Sequence, residues 1–206
     1  MSSVVFIGAG GHAKSVLAVA AVSHTVAGYV DRAECASPFP YLGNDDVFLS
    51  HYSPDSHELI ITMVAGRACS LQPRAALIER YKDCRFATII ASTAFIAHNT
   101  VIGEGTAVMH HAVVNADTKI GRHCIINTAA VIEHDCSIGD NVFIGPSAVV
   151  CGGVTIGSNV YIGANATLRP GVTVSDNNTI GLGAAVVKDI TESGTYVGVP
   201  AKLLKK

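Results

Sequence analysis

The chain has 206 residues, a formal net charge of −2 and only 15% charged residues. Proteins that bind nucleic acid or anionic membranes usually have strongly basic surfaces, and this nearly neutral composition does not predict one. Neither partner is therefore expected. The sequence has no positively charged lead into an apolar segment and no apolar run long enough to span a bilayer. A cytoplasmic location without membrane insertion is therefore expected.

The first part of the chain predicts a small α/β domain. The predicted elements are strands at 4–7, 26–30 and 59–64 and helices at 13–22 and 73–82. Strands alternating with helices indicate a partial Rossmann-type unit with a parallel sheet. Residues 35–57 are rich in proline, glycine and asparagine and are predicted to form loops.

A glycine-rich turn, Gly8-Ala9-Gly10-Gly11-His12, follows the first predicted strand. Its glycines allow close approach of a ligand to the backbone, and the helix N-terminus offers amide donors to a phosphate. Asp31 follows Gly11 by twenty residues, near the distance at which an acidic residue binds a ribose hydroxyl. A tight turn without a ligand is the alternative. The unit is too short for a complete dinucleotide fold, but a nucleotide sugar needs only one such half.

A strict six-residue repeat occupies the rest of the chain. From Ile90 to Val186 every sixth residue is Ile, Val or Leu, seventeen times in succession. This period is typical of a parallel β-helix, in which the chain winds around a triangular prism with one short strand per face. Three repeats make one coil, so at roughly 4.8 Å per coil the prism is about 27 Å tall. The sequence thus divides into an α/β domain at 1–85 and an all-β prism with a C-terminal tail at 86–206.

Six cysteines show neither a CxxC pair nor the spacing of a zinc site, and no metal is expected. Cys124 and Cys136 lie four residues after the aliphatic residue of their repeats, where mostly small residues recur. They are predicted to be reduced and to face the interior of the prism.

Several segments carry a resemblance to a known family. They are the glycine-rich turn at 8–12, Tyr41-Leu42-Gly43, the hexapeptides, residues 127–136 and Gly198-Val199-Pro200-Ala201-Lys202. Over nearly its whole length the chain resembles the sialic-acid O-acetyltransferase and bacillosamine-pathway N-acetyltransferase family. The resemblance implies a left-handed β-helix, acetyl-CoA as co-substrate, and a homotrimer with sites between subunits.

His134 is the candidate general base. Acetyl transfer to an amine or hydroxyl needs a group that removes the acceptor's proton, and histidine titrates in the right range. Glu133 and Asp135 flank His134 and favour its imidazolium form. Since neighbouring side chains of an ideal strand point in opposite directions, a hydrogen bond between His134 and Asp135 requires a corner or a bulge there. Glu133 is the alternative partner, and a solvated corner histidine without a role is the alternative reading.

Direct attack without an acyl-enzyme is expected, because no Ser or Cys is visibly placed with a base in the way that a nucleophile pair requires. The oxyanion needs a backbone N–H donor. By resemblance this donor is Gly152, which follows His134 by eighteen residues, or one coil. The resemblance further implies acetyl-CoA contacts at Phe143, Gly152, Ala164 and Leu182, the last two along a prism edge. It places the nucleotide sugar at Gly10, Gly11, His12, Asp31 and Arg32.

The chain departs from the family pattern in three places. Phe143 stands where many relatives carry a second histidine, and Arg32 stands where a second acid often follows Asp31. Val64-Ala65-Gly66 replaces the usual Gly-Asn-Asn, followed by an altered stretch up to Arg74. The last two departures concern the sugar-nucleotide pocket and leave the nucleotide sugar open, while Arg32 offers a contact to phosphate.

These features predict an acetyl-CoA-dependent N-acetyltransferase that acts on the 4-amino group of a UDP-linked amino-deoxy sugar in bacterial glycan biosynthesis. The first alternative is O-acetylation of a sialic-acid-like or other sugar hydroxyl. The second is a zinc carbonic anhydrase on the same prism, which needs three histidines on one zinc, two of them about five residues apart. His110, His111, His123 and His134 offer no such pair. The third is a non-catalytic β-helix scaffold.

Overall fold

The computed structural model describes residues 2–53, 55–66 and 69–205. In its N-terminal domain the described elements are β1 (Ser2–Ile7), α1 (Gly11–Ala20), β2 (His24–Val30), α2 (Asp45–His51), β3 (Glu58–Ile61) and α3 (Gln72–Arg80). The strands form a parallel sheet in the order β2-β1-β3. Alternate residues of β1 serve opposite layers: Val4 and Phe6 pack with α1, while Val5 and Ile7 pack with Tyr81 and its neighbours.

One helix is new, and the third strand ends earlier than the sequence predicts. α2 lies inside the segment 35–57 that was predicted to be loop, so that prediction is wrong there. Its start has a physical signal in the sequence: the Asn44 side chain accepts a hydrogen bond from the Val47 N–H at 3.0 Å, and Asp45 and Asp46 follow in the first turn. β3 ends at Ile61 rather than at residue 64.

The prism is built from seventeen two-residue strands between residues 89 and 186, all of which the structure describes. They are β4 (Ile89–Ile90), β5 (Phe95–Ile96), β6 (Val101–Ile102), β7 (Ala107–Val108), β8 (Val113–Val114), β9 (Lys119–Ile120), β10 (Ile125–Ile126), β11 (Val131–Ile132), β12 (Ser137–Ile138), β13 (Phe143–Ile144), β14 (Val149–Val150), β15 (Thr155–Ile156), β16 (Tyr161–Ile162), β17 (Thr167–Leu168), β18 (Thr173–Val174), β19 (Thr179–Ile180) and β20 (Ala185–Val186). Each strand from β4 to β17 pairs in parallel with the strand eighteen residues on, as in Ile126 with Ile144.

Three faces follow from this pairing. The first face contains β4, β7, β10, β13, β16 and β19 and is extended by β21 (Thr195–Val197) and the antiparallel β22 (Lys202–Leu203). The second face contains β5, β8, β11, β14, β17 and β20, and the third contains β6, β9, β12, β15 and β18. The aliphatic ladder fills the interior together with the small residues, including Cys124 and Cys136, which are free thiols and buried.

The corners owe their shape to two different residues. The third residue after the aliphatic residue has positive φ in fifteen successive repeats, from Asn99 at 62° to Gly183 at 64°. Asn, Asp, His and Gly occupy most of these positions, as the left-handed region favours. At several corners glycine stands directly after the aliphatic residue for another reason, which is close contact with the next coil. A Cβ on Gly139 would lie 2.7 Å from the Gly157 carbonyl carbon.

The N-terminal domain covers the outside of the first face. Ile89, Ala107, Ile125 and Phe143 point outward from successive coils of this face and are all buried. The second face is left uncovered in the single chain, where Phe95 is 58% exposed. None of the helices in the described ranges has the length and apolar character needed to cross a bilayer.

Gly139→Ala is expected to lower the free energy of unfolding by about 1–3 kcal/mol, because the added methyl group collides with the next coil. Urea denaturation followed by circular dichroism measures the change. Gly11→Ala is the control, since no atom lies within 4 Å of its added Cβ. Equal stability of the two variants would contradict this account of the corner glycines.

Candidate active site

His134 and Asp135 form a hydrogen-bonded pair at the corner that follows β11. The Nδ1 atom of His134 lies 2.7 Å from Oδ2 of Asp135. Asp135 has a φ of 59°, so the chain turns sharply there and two successive side chains can meet. Glu133 is engaged elsewhere, because its Oε2 accepts a hydrogen bond from Asn115 Nδ2 at 2.8 Å. The partner of His134 is therefore Asp135.

The pair makes His134 a stronger base. The hydrogen bond to Asp135 raises the pKa of His134 above its ordinary value, and the charges of Asp135 and Glu133 act in the same direction. The side chain of His134 is well exposed. Since Nδ1 is bound to the carboxylate, Nε2 is the nitrogen that is free to accept a proton from a bound molecule.

Gly152 lies one coil beyond His134 on the same edge. A Cβ on Gly152 would lie 2.8 Å from both Nε2 and Cε1 of His134, so the imidazole occupies the space that a side chain would need. Gly153 fixes the corner by donating its N–H to the His134 carbonyl at 2.9 Å. Within the described ranges no group accepts the N–H of Gly152. The three predicted catalytic residues thus come together in one chain.

Ala164 and Leu182 lie on a different edge. His134 and Gly152 follow strands of the second face, whereas Ala164 and Leu182 follow strands of the first face. Their backbone N–H groups have no acceptor among the described residues, and the Leu182 side chain is 75% exposed. The single chain therefore separates the predicted acetyl-CoA edge from the catalytic edge by the width of the second face.

The side chain of Phe143 packs between the prism and the N-terminal domain. Its ring stacks on Tyr161 with centroids 4.6 Å apart, and Leu71 of the N-terminal domain covers it. The side chain is buried and belongs to a cluster with Ile125. This leaves little of the Phe143 side chain for acetyl-CoA, and a contact there stays a prediction.

The N-terminal domain contains a cleft of about 560 Å³. Its walls include all five residues predicted for the nucleotide sugar, namely Gly10, Gly11, His12, Asp31 and Arg32. Asp31 also holds the glycine-rich turn in place, because its carboxylate accepts hydrogen bonds from the N–H groups of Ala9 at 2.9 Å and Arg32 at 2.7 Å.

His12 is an unusual group in this cleft. Its Nε2 atom is buried and has no hydrogen-bond partner in the described structure. Burial, together with the nearby charge of Arg74, lowers the pKa of His12 to about 4, so the ring is neutral at physiological pH. A buried polar atom without a partner is a candidate contact for a ligand.

Two polar residues of the cleft wall, Asp45 and Thr62, had not been expected from the sequence. Asp45 lies in the wall because α2 begins there, and Thr62 lies at the end of β3 with its Oγ1 2.5 Å from the Gly8 carbonyl. The helix-start pattern of Asn44-Asp45-Asp46 could have indicated the first of them. The described residues contain no cluster of three or more His, Cys, Asp or Glu side chains suited to a metal ion.

The hexapeptide prism and the pair of His134 and Asp135 fit an acyltransferase, and comparisons with known proteins identify the family. The family described as PglD N-terminal domain matches residues 3–66. The bacterial transferase hexapeptide family, with six repeats, matches 117–152 and 135–170, and the hexapeptide repeat of succinyl-transferase matches 153–188. A comparison with curated proteins gave no significant match.

Solved structures extend the likeness to the whole chain. The acetyltransferase domain of PglB from Neisseria gonorrhoeae FA1090 is 31% identical, with a TM-score of 0.90 over 99% of this chain and 100% of its own. PerB from Caulobacter crescentus, in complex with CoA and GDP-perosamine, is 32% identical, with a TM-score of 0.87 over 100% and 98%. WeeI from Acinetobacter baumannii AYE shares the fold at 22% identity, with a TM-score of 0.86 over 99% and 100%.

The chain therefore belongs to the acetyl-CoA-dependent sugar N-acetyltransferases of the left-handed β-helix type. The resemblance expected from the sequence is confirmed, as is the architecture of an α/β domain followed by a hexapeptide prism.

Asp135→Asn is expected to lower the pKa of His134 toward its ordinary value, because the variant removes both the charge and the carboxylate acceptor. Titration of His134 by NMR in the isolated protein measures the shift. If His134 is the general base, it works in its neutral form, and the acid limb of a pH–rate profile should move to lower pH in the variant.

Glu133→Gln is the control for this titration. Glu133 acts on His134 through its charge alone, so its removal should shift the pKa of His134 less than Asp135→Asn does. An unchanged pKa in Asp135→Asn would show that the pair does not set the basicity of His134.

Proposed function

We propose that the enzyme transfers the acetyl group of acetyl-CoA to the 4-amino group of a UDP-linked amino-deoxy sugar in bacterial glycan biosynthesis. One observation carries the proposal: the chain combines a cleft suited to a nucleotide sugar with a carboxylate-bound histidine set against an unpaired glycine N–H. The likeness to PerB, whose structure contains CoA and GDP-perosamine, supports the same reaction class.

The reaction proceeds by direct attack in this proposal. The amine nitrogen attacks the thioester carbonyl carbon while Nε2 of His134 takes the amine's proton, and Asp135 stabilises the imidazolium that forms. The Gly152 N–H donates to the oxyanion. When the C–S bond breaks, the proton on His134 passes to the departing CoA sulfur, and the products are an amide and free CoA.

Cysteine chemistry supports a route without an acyl-enzyme. Burial raises the pKa of Cys124 to about 12 and also raises the pKa of Cys136. The Sγ atoms of both residues point to backbone carbonyls, Gly139 O at 3.2 Å for Cys124 and Cys151 O at 3.2 Å for Cys136. Thiols held in this way are poor nucleophiles.

The nucleotide is expected in the N-terminal cleft. The turn at Gly10 and Gly11 offers helix N-terminal amides to a diphosphate, and the exposed Arg32 lies in the same wall. Uridine is our first choice, and the GDP-sugar of PerB makes guanosine the alternative to be tested beside it.

The working assembly is proposed to be a homotrimer. The outward residues of the second face, Phe95, Val113, Val131 and Val149, form an apolar stripe that the N-terminal domain does not cover. The third face bears polar outward residues instead, such as Lys119 and Thr155. Packing of second faces would bring the edge with Ala164 and Leu182 of one subunit toward His134 of another. This would complete a site that the single chain leaves divided.

His134→Ala is expected to reduce kcat by at least about a hundredfold, because general-base catalysis is lost. Initial rates of CoA release with acetyl-CoA and UDP-4-amino-4,6-dideoxy sugars measure the effect. The matched control is His98→Ala, since His98 is an exposed histidine on the same edge two coils earlier and should leave kcat unchanged.

The acceptor panel also contains GDP-linked 4-amino sugars and free and CMP-linked sialic acids. Turnover with only the GDP-linked sugars would show that the nucleotide is guanosine rather than uridine. Turnover only with sialic acids would favour O-acetylation, and inactivity with every 4-amino sugar would overturn N-acetylation. A wild-type rate in His134→Ala would show that His134 is not the general base, and a wild-type protein inactive with every acceptor would favour the non-catalytic scaffold.

Val113→Glu is expected to dissociate the trimer, because it places a charge in the apolar stripe of the second face. Sedimentation velocity measures the mass, and kcat should fall together with assembly. Thr155→Glu, on the outer surface of the third face, is the control and should remain trimeric. A monomeric wild-type protein with full activity would contradict the shared site.

A further inference from the structure

We propose that Arg74 is a positioning residue, which fastens the ligand cleft of the N-terminal domain to the prism and thereby sets the position of the nucleotide sugar relative to His134. Arg74 lies in α3, and only 1% of it is exposed. The inference rests on the proposed function, because its catalytic consequence requires a nucleotide sugar in the cleft.

The guanidinium binds both domains at once. On the side of the N-terminal domain, Nε donates to Met63 O at 2.9 Å and Nη2 to Ile61 O at 3.3 Å. On the side of the prism, Nη1 donates to His123 O at 2.7 Å and to Asn141 Oδ1 at 2.7 Å. Four oxygen atoms from three separate segments thus converge on one side chain.

All four acceptors are neutral, which makes this contact unusual. A buried charge is normally paired with an opposite charge, since desolvation of an unpaired one is costly. Burial lowers the pKa of Arg74 to about 10, so the group is still protonated at physiological pH. The planar guanidinium of arginine carries N–H donors on three nitrogen atoms and can therefore bind several acceptors at once. A lysine ammonium has its donors on a single nitrogen atom and cannot replace it in this geometry.

The contacts on the N-terminal side lie directly behind the cleft. Ile61 and Met63 flank Thr62, and Thr62 and Met63 are part of the cleft wall. The Thr62 hydroxyl reaches the carbonyls of Ile7 at 3.1 Å and Gly8 at 2.5 Å, at the start of the glycine-rich turn. By holding the end of β3, Arg74 therefore also fixes the turn that is proposed to bind the diphosphate.

The contacts on the prism side are in the rigid frame that carries His134. Asn141 occupies a left-handed corner with a φ of 53°, one corner after the catalytic pair in the same coil. Its Nδ2 donates to Asn159 Oδ1 in the next coil at 2.8 Å, which fixes the amide that Arg74 binds. A weaker, exposed tie runs beside it from Gln72 Nε2 to Asn177 Oδ1 at 3.1 Å.

Arg74→Met tests the proposal, because methionine fills much of the space but cannot bind the four oxygens. We expect kcat/KM for the nucleotide sugar to fall about 10- to 100-fold through misplacement of the acceptor. The dissociation constant of acetyl-CoA, measured by calorimetry, should not change. Arg74→Lys retains the charge without the planar guanidinium and should behave more like the methionine variant than like the wild type.

Hydrogen exchange measured by mass spectrometry gives a readout that does not depend on activity. In Arg74→Met the backbone amides of residues 58–66 and 119–126 should exchange faster than in the wild type, while those of residues 143–186 should not. Lys82→Met, at an exposed cation just after α3, is the control and should alter neither exchange nor kinetics.

Unchanged exchange and kinetics in Arg74→Met would overturn the proposal, as would full recovery in Arg74→Lys. If Arg74→Met does not fold, the comparison of Arg74→Lys with the wild type decides in the same way. A wild-type protein without turnover on any nucleotide sugar would refute the proposed function, and the exchange experiment would still decide whether Arg74 fastens the two domains.

Discussion

The parallel register of eighteen residues is the constraint on which the other features depend. Each coil must place its strands directly over those of the coil before, so an inward aliphatic residue stacks on another at every step. Corners then have room for only one backbone shape, and the left-handed residue recurs at the same point of each repeat. Parallel strands that are not joined by helices need such a corner after every strand. The fold therefore depends on the left-handed residue that recurs through fifteen successive repeats.

The register of eighteen residues also fixes the geometry of the candidate active site. The left-handed corner at Asp135 turns the chain so that its carboxylate reaches the neighbouring His134. The register puts Gly152 one coil away, and the absence of a side chain there leaves space for the imidazole. His134 and the N–H of Gly152 therefore lie at positions that the register of the coils fixes, and in this way a regular structure can support specific chemistry.

Features that depend on the repeat could be predicted from the sequence, and features that depend on contact between domains could not. The ladder, its parallel faces, the buried Cys124 and the stacking of His134 on Gly152 follow from counting residues. The six-residue period alone does not show that Ala164 lies on a different edge from His134. For that, each repeat must also be assigned to one of the three faces. The burial of Arg74 could not be foreseen, because its acceptors lie in three segments whose meeting depends on how the two domains pack.

Domain packing also gives a physical account of the departures from the family pattern. Phe143 stands where the resemblance implies a second histidine, and Val64 and Ala65 stand where it implies part of Gly-Asn-Asn. All three residues lie in one apolar cluster. A polar group at either place would face an apolar partner across the domain interface and lose its hydrogen bonds to water. Phe143 on the prism and Val64 and Ala65 on the N-terminal domain therefore form one apolar contact between the domains. Val64 and Ala65 also line the cleft, while the nearby Arg74 supplies polar bonds between the domains.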